Sequence, residues 1–232
     1  MLNNSSLLKR ERMNKRIFIT ATNTNIGKTY TTKLLIKEFA SRGFSVGVIK
    51  PIETGVVEYP ADGEELLECV KQYNPKLWSL DIEDIVPITY RLPASVYVAS
   101  NNTPLDLKKI QHAINEMESL CDIVLIEGAG GLYVPIDENT MMIDLIKKLN
   151  ASALLVSHGS LGCINDMLLS KKALESEDIV HEVVFNIKKE DKESFNRISL
   201  PYLEQTQKSV FKLQKDIAIV CDNLYNLQSK KA

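Results

Sequence analysis

Five short runs of the chain are apolar from end to end: 17–20 (IFIT), 46–49 (VGVI), 123–126 (IVLI), 153–156 (ALLV) and 183–185 (VVF). A strand with one wet face alternates apolar and polar side chains, so unbroken runs predict strands covered by helices on both faces. The segments between them carry the wider spacing of amphipathic helices, which the pattern predicts over 28–41, 62–73, 106–119, 142–149 and 163–175. Strand and helix alternating in this way predict a three-layer α/β fold, a mainly parallel sheet with helical crossovers on both faces. The proline-containing stretch 75–104 reads as an insertion crossing the strand ends. Residues 13–232 are therefore expected to form one domain, with 1–12 a disordered extension and Met13 an alternative start.

Composition narrows the partners. A chain of 232 residues can bury one sizeable core. Its formal net charge of -2 offers no basic surface for a polyanion, so no nucleic-acid partner is expected. Cys69, Cys121, Cys163 and Cys221 form no C-x-x-C pair and no metal-ligand spacing, which fits reduced thiols in a cytoplasmic protein. No apolar run reaches the roughly 20 residues that cross a bilayer, and the opening MLNNSSLLKRER lacks the apolar core of a secretory signal. No membrane partner is expected.

The polar punctuation carries the chemistry. Residues 22–27, 50–55, 127–131 and 157–162 each follow an apolar run. Ligands of open parallel sheets bind beyond the carboxyl ends of the strands, so these loops should face one cleft. The first lies in ATNTNIGKT (21–29), whose Gly27-Lys28-Thr29 ending matches the phosphate loop G-x-x-x-x-G-K-[ST], although position 22 is threonine and not the opening glycine. Backbone N–H groups of such a loop cradle phosphates, Lys28 would reach the terminal phosphates, and the Thr29 hydroxyl would ligate magnesium.

Lys50, closing the VGVI run, is either a solvated strand end or a second cation for a transferring phosphoryl group. Glu127 ends CDIVLIE ahead of Gly128-Ala129-Gly130-Gly131, where a carboxylate can hold magnesium and glycines admit a ligand close to the backbone. Asp62, opening DGEE, is either a helix cap accepting from a first-turn N–H or a metal carboxylate. Asn186 is either a strand-end turn residue or a reader of a base edge through its amide. Residues 160–165 lead into a helix, and His158 reads as structural because no carboxylate or nucleophile is placed by sequence to form a triad with it.

Taken in order, ATNTNIGKT, Lys50-Pro51 with Thr54-Gly55, Asp62, Glu127-Gly128-Ala129-Gly130-Gly131 and Leu161-Gly162-Cys163-Ile164-Asn165 resemble the dethiobiotin synthetase family from Lys15 to about Asn186. That family's loop reads roughly G-T-D-T-x-x-G-K-T, so its first glycine falls one residue earlier, where this chain has Ala21. Asn23 replaces the loop aspartate, and Asn25 stands where an acidic residue is common. The resemblance implies a P-loop NTPase-like fold and an ATP- and Mg2+-dependent cyclo-ligase. It would form the ureido ring of dethiobiotin from 7,8-diaminopelargonate and CO2, in biotin biosynthesis, through a carbamate and a carbamic-phosphoric anhydride.

The same resemblance implies catalytic roles for Thr24, Lys28 and Lys50. It implies nucleotide contacts from Asn25, Ile26, Gly27, Lys28, Thr29, Tyr30, Glu127 and Asn186, and Mg2+ ligation by Thr29, Asp62 and Glu127. Substrate contacts are implied for Thr24, Lys50, Thr54, Gly128, Gly130 and Gly131. Gly162, Cys163, Ile164 and Asn165 would reach the substrate's carboxylate tail from the neighbouring subunit of a homodimer with a composite site. Because a lone Asn186 amide can turn to suit either purine, GTP is expected to serve within about tenfold of ATP. The alternative is a partition or septum-site P-loop ATPase acting as a nucleotide-dependent dimer switch. Residues 21–26 hold neither the early lysine nor the glycine of such loops, and no N-K-x-D motif marks a GTPase.

Overall fold

The computed structural model describes residues 15–227; the expected extension 1–12 and Met13 lie outside them. Six strands form the central sheet: β1 (Lys15–Ala21), β2 (Val46–Ile49), β3 (Ile123–Gly131), β4 (Ser152–His158), β5 (His181–Asn186) and β6 (Phe211–Lys212). Their spatial order is β6-β5-β4-β1-β3-β2, and every neighbouring pair is parallel. The first five contain the five apolar runs. Ile17, Phe18, Ile19, Leu125, Ile126, Leu154 and Leu155 have no exposed surface, as residues covered from both sides must. β6 has only two residues and no apolar run to announce it.

Helices α1 (Lys28–Ser41), α2 (Ala61–Tyr73), α3 (Leu107–Leu120), α4 (Met142–Lys148) and α5 (Cys163–Ser176) begin and end within one residue of the predicted bounds. A further helix, α6 (Leu213–Leu227), buries Leu213, Val220, Cys221 and Leu224. α1 packs against α2 and α6 on one face of the sheet, while α3 contacts β2 and β3, α4 contacts β3, and α5 contacts β4. Right-handed crossovers account for the split: the chain moves outward from β1 to β2 over one face and returns through β3, β4 and β5 over the other.

The stretch 75–104 contains the short helical segments Pro75–Leu77, Ile82–Ile85 and Val96–Ala99. Its strand Ile88–Tyr90 pairs in parallel with Ile52–Thr54 in a separate two-stranded ribbon, so the insertion lies past the end of β2 as expected. β1 sits where the winding direction reverses. Loops after β1, β3 and β4 therefore open side by side, the arrangement in which open parallel sheets bind ligands.

Candidate active site

The phosphate loop leaves β1 at Ala21, and Thr22 N–H still donates to the Val156 carbonyl of β4 at 3.0 Å. Positive φ falls on Asn25 (60°) and Gly27 (100°), and on neither Ala21 nor Thr22. The start of this loop thus follows backbone that any residue adopts, which is why its first glycine is dispensable. Gly27 is not: a Cβ there would sit 2.3 Å from Asn186 Nδ2. Among the described residues no side chain caps α1 at Gly27, so its first-turn N–H groups stay available to an anion.

Beside this loop, charge is buried and tightly paired. Lys50 Nζ lies 2.7 Å from Asp62 Oδ2 and 2.8 Å from Glu127 Oε1. Glu127 is fully buried opposite Ile19 of β1, and also accepts from the hydroxyls of Thr29 (2.9 Å) and Thr32 (2.7 Å). Lys50 is therefore no solvated strand end. Burial works against its charge, but Glu127 and Asp62 outweigh that and hold its pKa above the ordinary lysine range. Burial also opposes the Asp62 carboxylate, and Lys50 overcomes it, leaving Asp62 below its usual value. Among the described residues Lys28 forms no such ion pair. Burial, reinforced by the Lys50 charge, lowers it to about 8.

Asp62 does not cap its helix. The residue before α2 is Pro60, and it is Glu53 that accepts from the N–H groups of Asp62 (3.0 Å) and Gly63 (2.9 Å). With Glu53 in the capping role, the Asp62 carboxylate is left to face Lys50. Thr29, Asp62 and Glu127 together present only oxygen donors, the set a hard divalent cation takes alongside water and phosphate. Glu53 and Thr32 escape sequence reading for different reasons. Glu53 reaches its helix from another element, and Thr32, one turn beyond Thr29, gives only its helical spacing as a signal.

Three cavities surround the phosphate loop. One of about 360 Å3 is lined by Thr24, Asn25, Gly27, Lys28, Thr29, Lys50, Thr54 and Asp62. It shares Thr24, Thr54, Ala129 and Gly130 with a cavity of about 740 Å3 that continues past Pro93–Val96 and Gly131–Pro135 to Leu169 and Ser170 of α5. A third, of about 380 Å3, lies on the other side of the loop between Asn23–Ile26 and the group His158, Ser160, Asp166, Asn186, Lys188 and Asp191.

Some expected contacts line none of these. Gly128 packs where a Cβ would meet the Phe18 ring at 2.6 Å, and Tyr30 lies on the exposed side of α1. Gly162, Cys163, Ile164 and Asn165 stand at the start of α5, with Cys163 buried against Ser199.

Asn186 is held at both ends of its amide. Nδ2 donates to the Ile26 carbonyl at 2.8 Å, and Oδ1 accepts from Gln214 of α6 at 3.0 Å. It is neither a plain turn residue nor a freely turning amide. His158 likewise has partners that its sequence neighbourhood conceals: Nδ1 is 2.6 Å from Ser160 Oγ and Nε2 is 3.0 Å from Asp166 Oδ2. A carboxylate one turn into α5 does come round to the ring, so the reason for setting that histidine aside does not hold.

Comparison with known proteins adds relatives to this geometry. A family model described as an AAA domain matches residues 15–221. The chain is 46% identical over 188 residues to the ATP-dependent dethiobiotin synthetase BioD of Sulfurovum sp., covering 81% of this chain and 89% of that protein. It is 36% identical over 205 residues to the protein of the same name from Wolinella succinogenes, covering 88% and 94%. Among solved structures it is similar to the MinC:MinD cell division protein complex of Aquifex aeolicus, with a TM-score of 0.52, 16% identity and coverage of 93% and 89%. A plasmid partition protein from Borrelia burgdorferi gives 0.51, 11%, 94% and 99%. At such identities the structural likeness speaks for the fold, a P-loop NTPase-like sheet covered on both faces.

Proposed function

This chain belongs to the ATP-dependent dethiobiotin synthetase family, and on that premise we propose that it closes the ureido ring of dethiobiotin from 7,8-diaminopelargonate, CO2 and ATP. The observation that carries this reading is that the 740 Å3 cavity adjoins the 360 Å3 phosphate cavity, with Thr24, Thr54, Ala129 and Gly130 lining both. A ligase needs a channel that delivers a small molecule to the γ-phosphate. A nucleotide-dependent switch does not, and likeness of fold to partition proteins supplies no reason to prefer one.

In this reading the diamine lies in the larger cavity with one amine carboxylated. The carbamate oxygen attacks the γ-phosphorus, ADP leaves, and a carbamic-phosphoric anhydride forms. The second amine, as the free base, then attacks the anhydride carbon, phosphate departs with the C–O bond electrons, and the ring closes with loss of one proton from the attacking nitrogen to solvent. Thr24 and Thr54, which line both cavities, orient the carbamate. Lys28 and Lys50 neutralise charge on the transferring group, and the first-turn N–H groups after Gly27 hold the phosphates. Thr29, Asp62 and Glu127 would hold Mg2+, which supplies further charge neutralisation on the phosphates.

The third cavity would take the nucleoside, with Asn186 against the purine. Residues 162–165 line none of the three cavities around the phosphate loop, which leaves them free for a role toward the substrate tail of a second subunit in a homodimer. The test is phosphate release by the purified protein. Release from ATP should require both bicarbonate and the diamine, with dethiobiotin formed in equal amount. ATP hydrolysis indifferent to both would end the ligase reading.

A further inference from the structure

We propose that His158 is a positioning residue for the segment 162–165, setting where that segment projects; the inference rests on the reading that this segment meets the substrate tail. The connector from β4 to α5 has few tethers of its own. Gly162, at φ 98°, precedes α5 without a side-chain cap, and Leu161 is 84% exposed. Its backbone ties are Cys163 N–H to the Ser160 carbonyl and Asp166 N–H to the Gly162 carbonyl, both 3.1 Å. Packing of the fully buried Cys163 with Met167, Phe185 and Phe195 anchors the helix end of this connector, and between that anchor and β4 its course is left to side-chain hydrogen bonds.

His158 supplies the fixing from a rigid base. It is the last residue of β4, in register with Asn186 of β5, which is itself bonded to the phosphate loop at Ile26. An ionised carboxylate only accepts, so Nε2 carries the proton given to Asp166 Oδ2. Nδ1, the other ring nitrogen, is within hydrogen-bond distance of the Ser160 hydroxyl, which can serve it as donor or acceptor. One ring thus joins a strand end to the middle of the loop and to the first turn of α5. The other oxygen, Asp166 Oδ1, accepts from Asn165 Nδ2 at 3.2 Å. A continuous path of hydrogen bonds therefore runs from Ser160 through His158 and Asp166 to Asn165. Sites held to a fraction of an ångström are built this way, by groups whose own orientation is locked behind the contact residues.

The experiment is steady-state kinetics on the full chain, with diamine and ATP varied separately. His158→Ala should raise KM for the diamine by at least about tenfold with kcat within about threefold, the pattern of lost ground-state binding, and should raise KM for ATP, whose nucleoside cavity the ring also lines, by clearly less. His158→Gln, whose amide N–H can reach Asp166, should recover most of that loss, and the shorter His158→Asn should not. Asn165→Ala serves as the reference and should itself raise the diamine KM. If Asn165→Ala raises it and His158→Ala does not, the positioning role is overturned. If His158→Ala lowers kcat and melting temperature together with no diamine-specific effect, and glutamine rescues nothing, the role is structural and the inference fails. If Asn165→Ala changes no constant, the substrate role of the segment falls first, and this inference with it.

Discussion

Replacing Glu127 by glutamine changes one charge at nearly constant size, inside the most tightly paired part of the molecule. Most of the hydrogen bonding can survive. The amide oxygen can keep Thr29 and Lys50, and the amide N–H can face Thr32, whose hydroxyl already has the Lys28 carbonyl as an alternative acceptor at 2.9 Å. What disappears is the carboxylate that accompanies a lysine with only 4% of its side chain exposed. Removing one partner of a buried ion pair costs about 3–5 kcal/mol. Lys50 keeps Asp62, whose side chain is 48% exposed, so the low end, about 3 kcal/mol, is expected. For a domain of this size that is a fall of about 6–12 °C in melting temperature.

Urea unfolding without nucleotide, followed by far-UV circular dichroism, measures this in the wild type, Glu127→Gln, Lys50→Met and the double variant. Lys50→Met alone strands a carboxylate with no exposure, so it too should destabilise. The double variant should be more stable than the two losses summed, by at least about 1.5 kcal/mol. A Glu127→Gln loss below about 0.5 kcal/mol, or losses that simply add, would refute the view that this pair is an electrostatic unit.

Lys28→Ala should keep the fold and lower turnover by at least roughly 100-fold, as measured by phosphate release. The lowered Lys28 pKa also has a sign. Between about 8 and the ordinary lysine value the unfolded chain binds the extra proton, so the ligand-free protein gains stability as pH rises through that window. Triphosphate restores the proton, so calorimetry above pH 8 should detect proton uptake on binding that Lys28→Ala abolishes. Asp62→Asn should blunt the magnesium response of turnover without loosening α2. Glu53→Ala should do the reverse, costing about 1 kcal/mol in unfolding free energy. Finally, an Asn186 amide aimed at a backbone carbonyl cannot reverse its polarity at no cost, so the premise for near-equal use of GTP fails. kcat/KM should favour ATP by about 10- to 100-fold, a fixed amide being worth about 1–3 kcal/mol of base discrimination, and a ratio within threefold would count against it.

The parts of the fold legible in the sequence are those whose signal is local. Unbroken apolar runs marked β1 to β5, and Gly27-Lys28-Thr29 marked the start of α1. α6 carries a helical period in Leu213, Ile217, Val220, Cys221 and Leu224, but the two residues of β6 before it gave no strand to complete the alternation. At the site, Lys28, Lys50, Thr29 and Asp62 were legible because each sits just after a strand or at the start of a helix, and Glu127 because it breaks the apolar run of β3, which the structure continues to Gly131 where the sequence suggests a loop. Their neighbours were not. Glu53 displaces Asp62 from the cap, Thr32 shares Glu127, Gln214 fixes Asn186, and Asp166 finds His158. Each of these pairings joins separate segments or turns of the chain that meet only once the sheet is assembled, and no spacing rule anticipates them.

The placement of β1 bears on how the protein is made. β1 is translated first among the described strands, yet its neighbours in the sheet begin at Ile123 and Ser152. The phosphate loop that follows it is held through Asn186, whose amide is completed only by Gln214. On the ribosome, this strand must therefore wait, apolar on both sides and unpaired along both edges, while more than a hundred residues emerge. The nucleotide site, begun by the first described strand, matures only when the last described helix has left the exit tunnel. Truncation before Ser152 should leave an edge of β1 unpaired and exposed to chaperones, and truncation between β4 and α6 should leave the strand paired but the phosphate loop without the Asn186–Gln214 support.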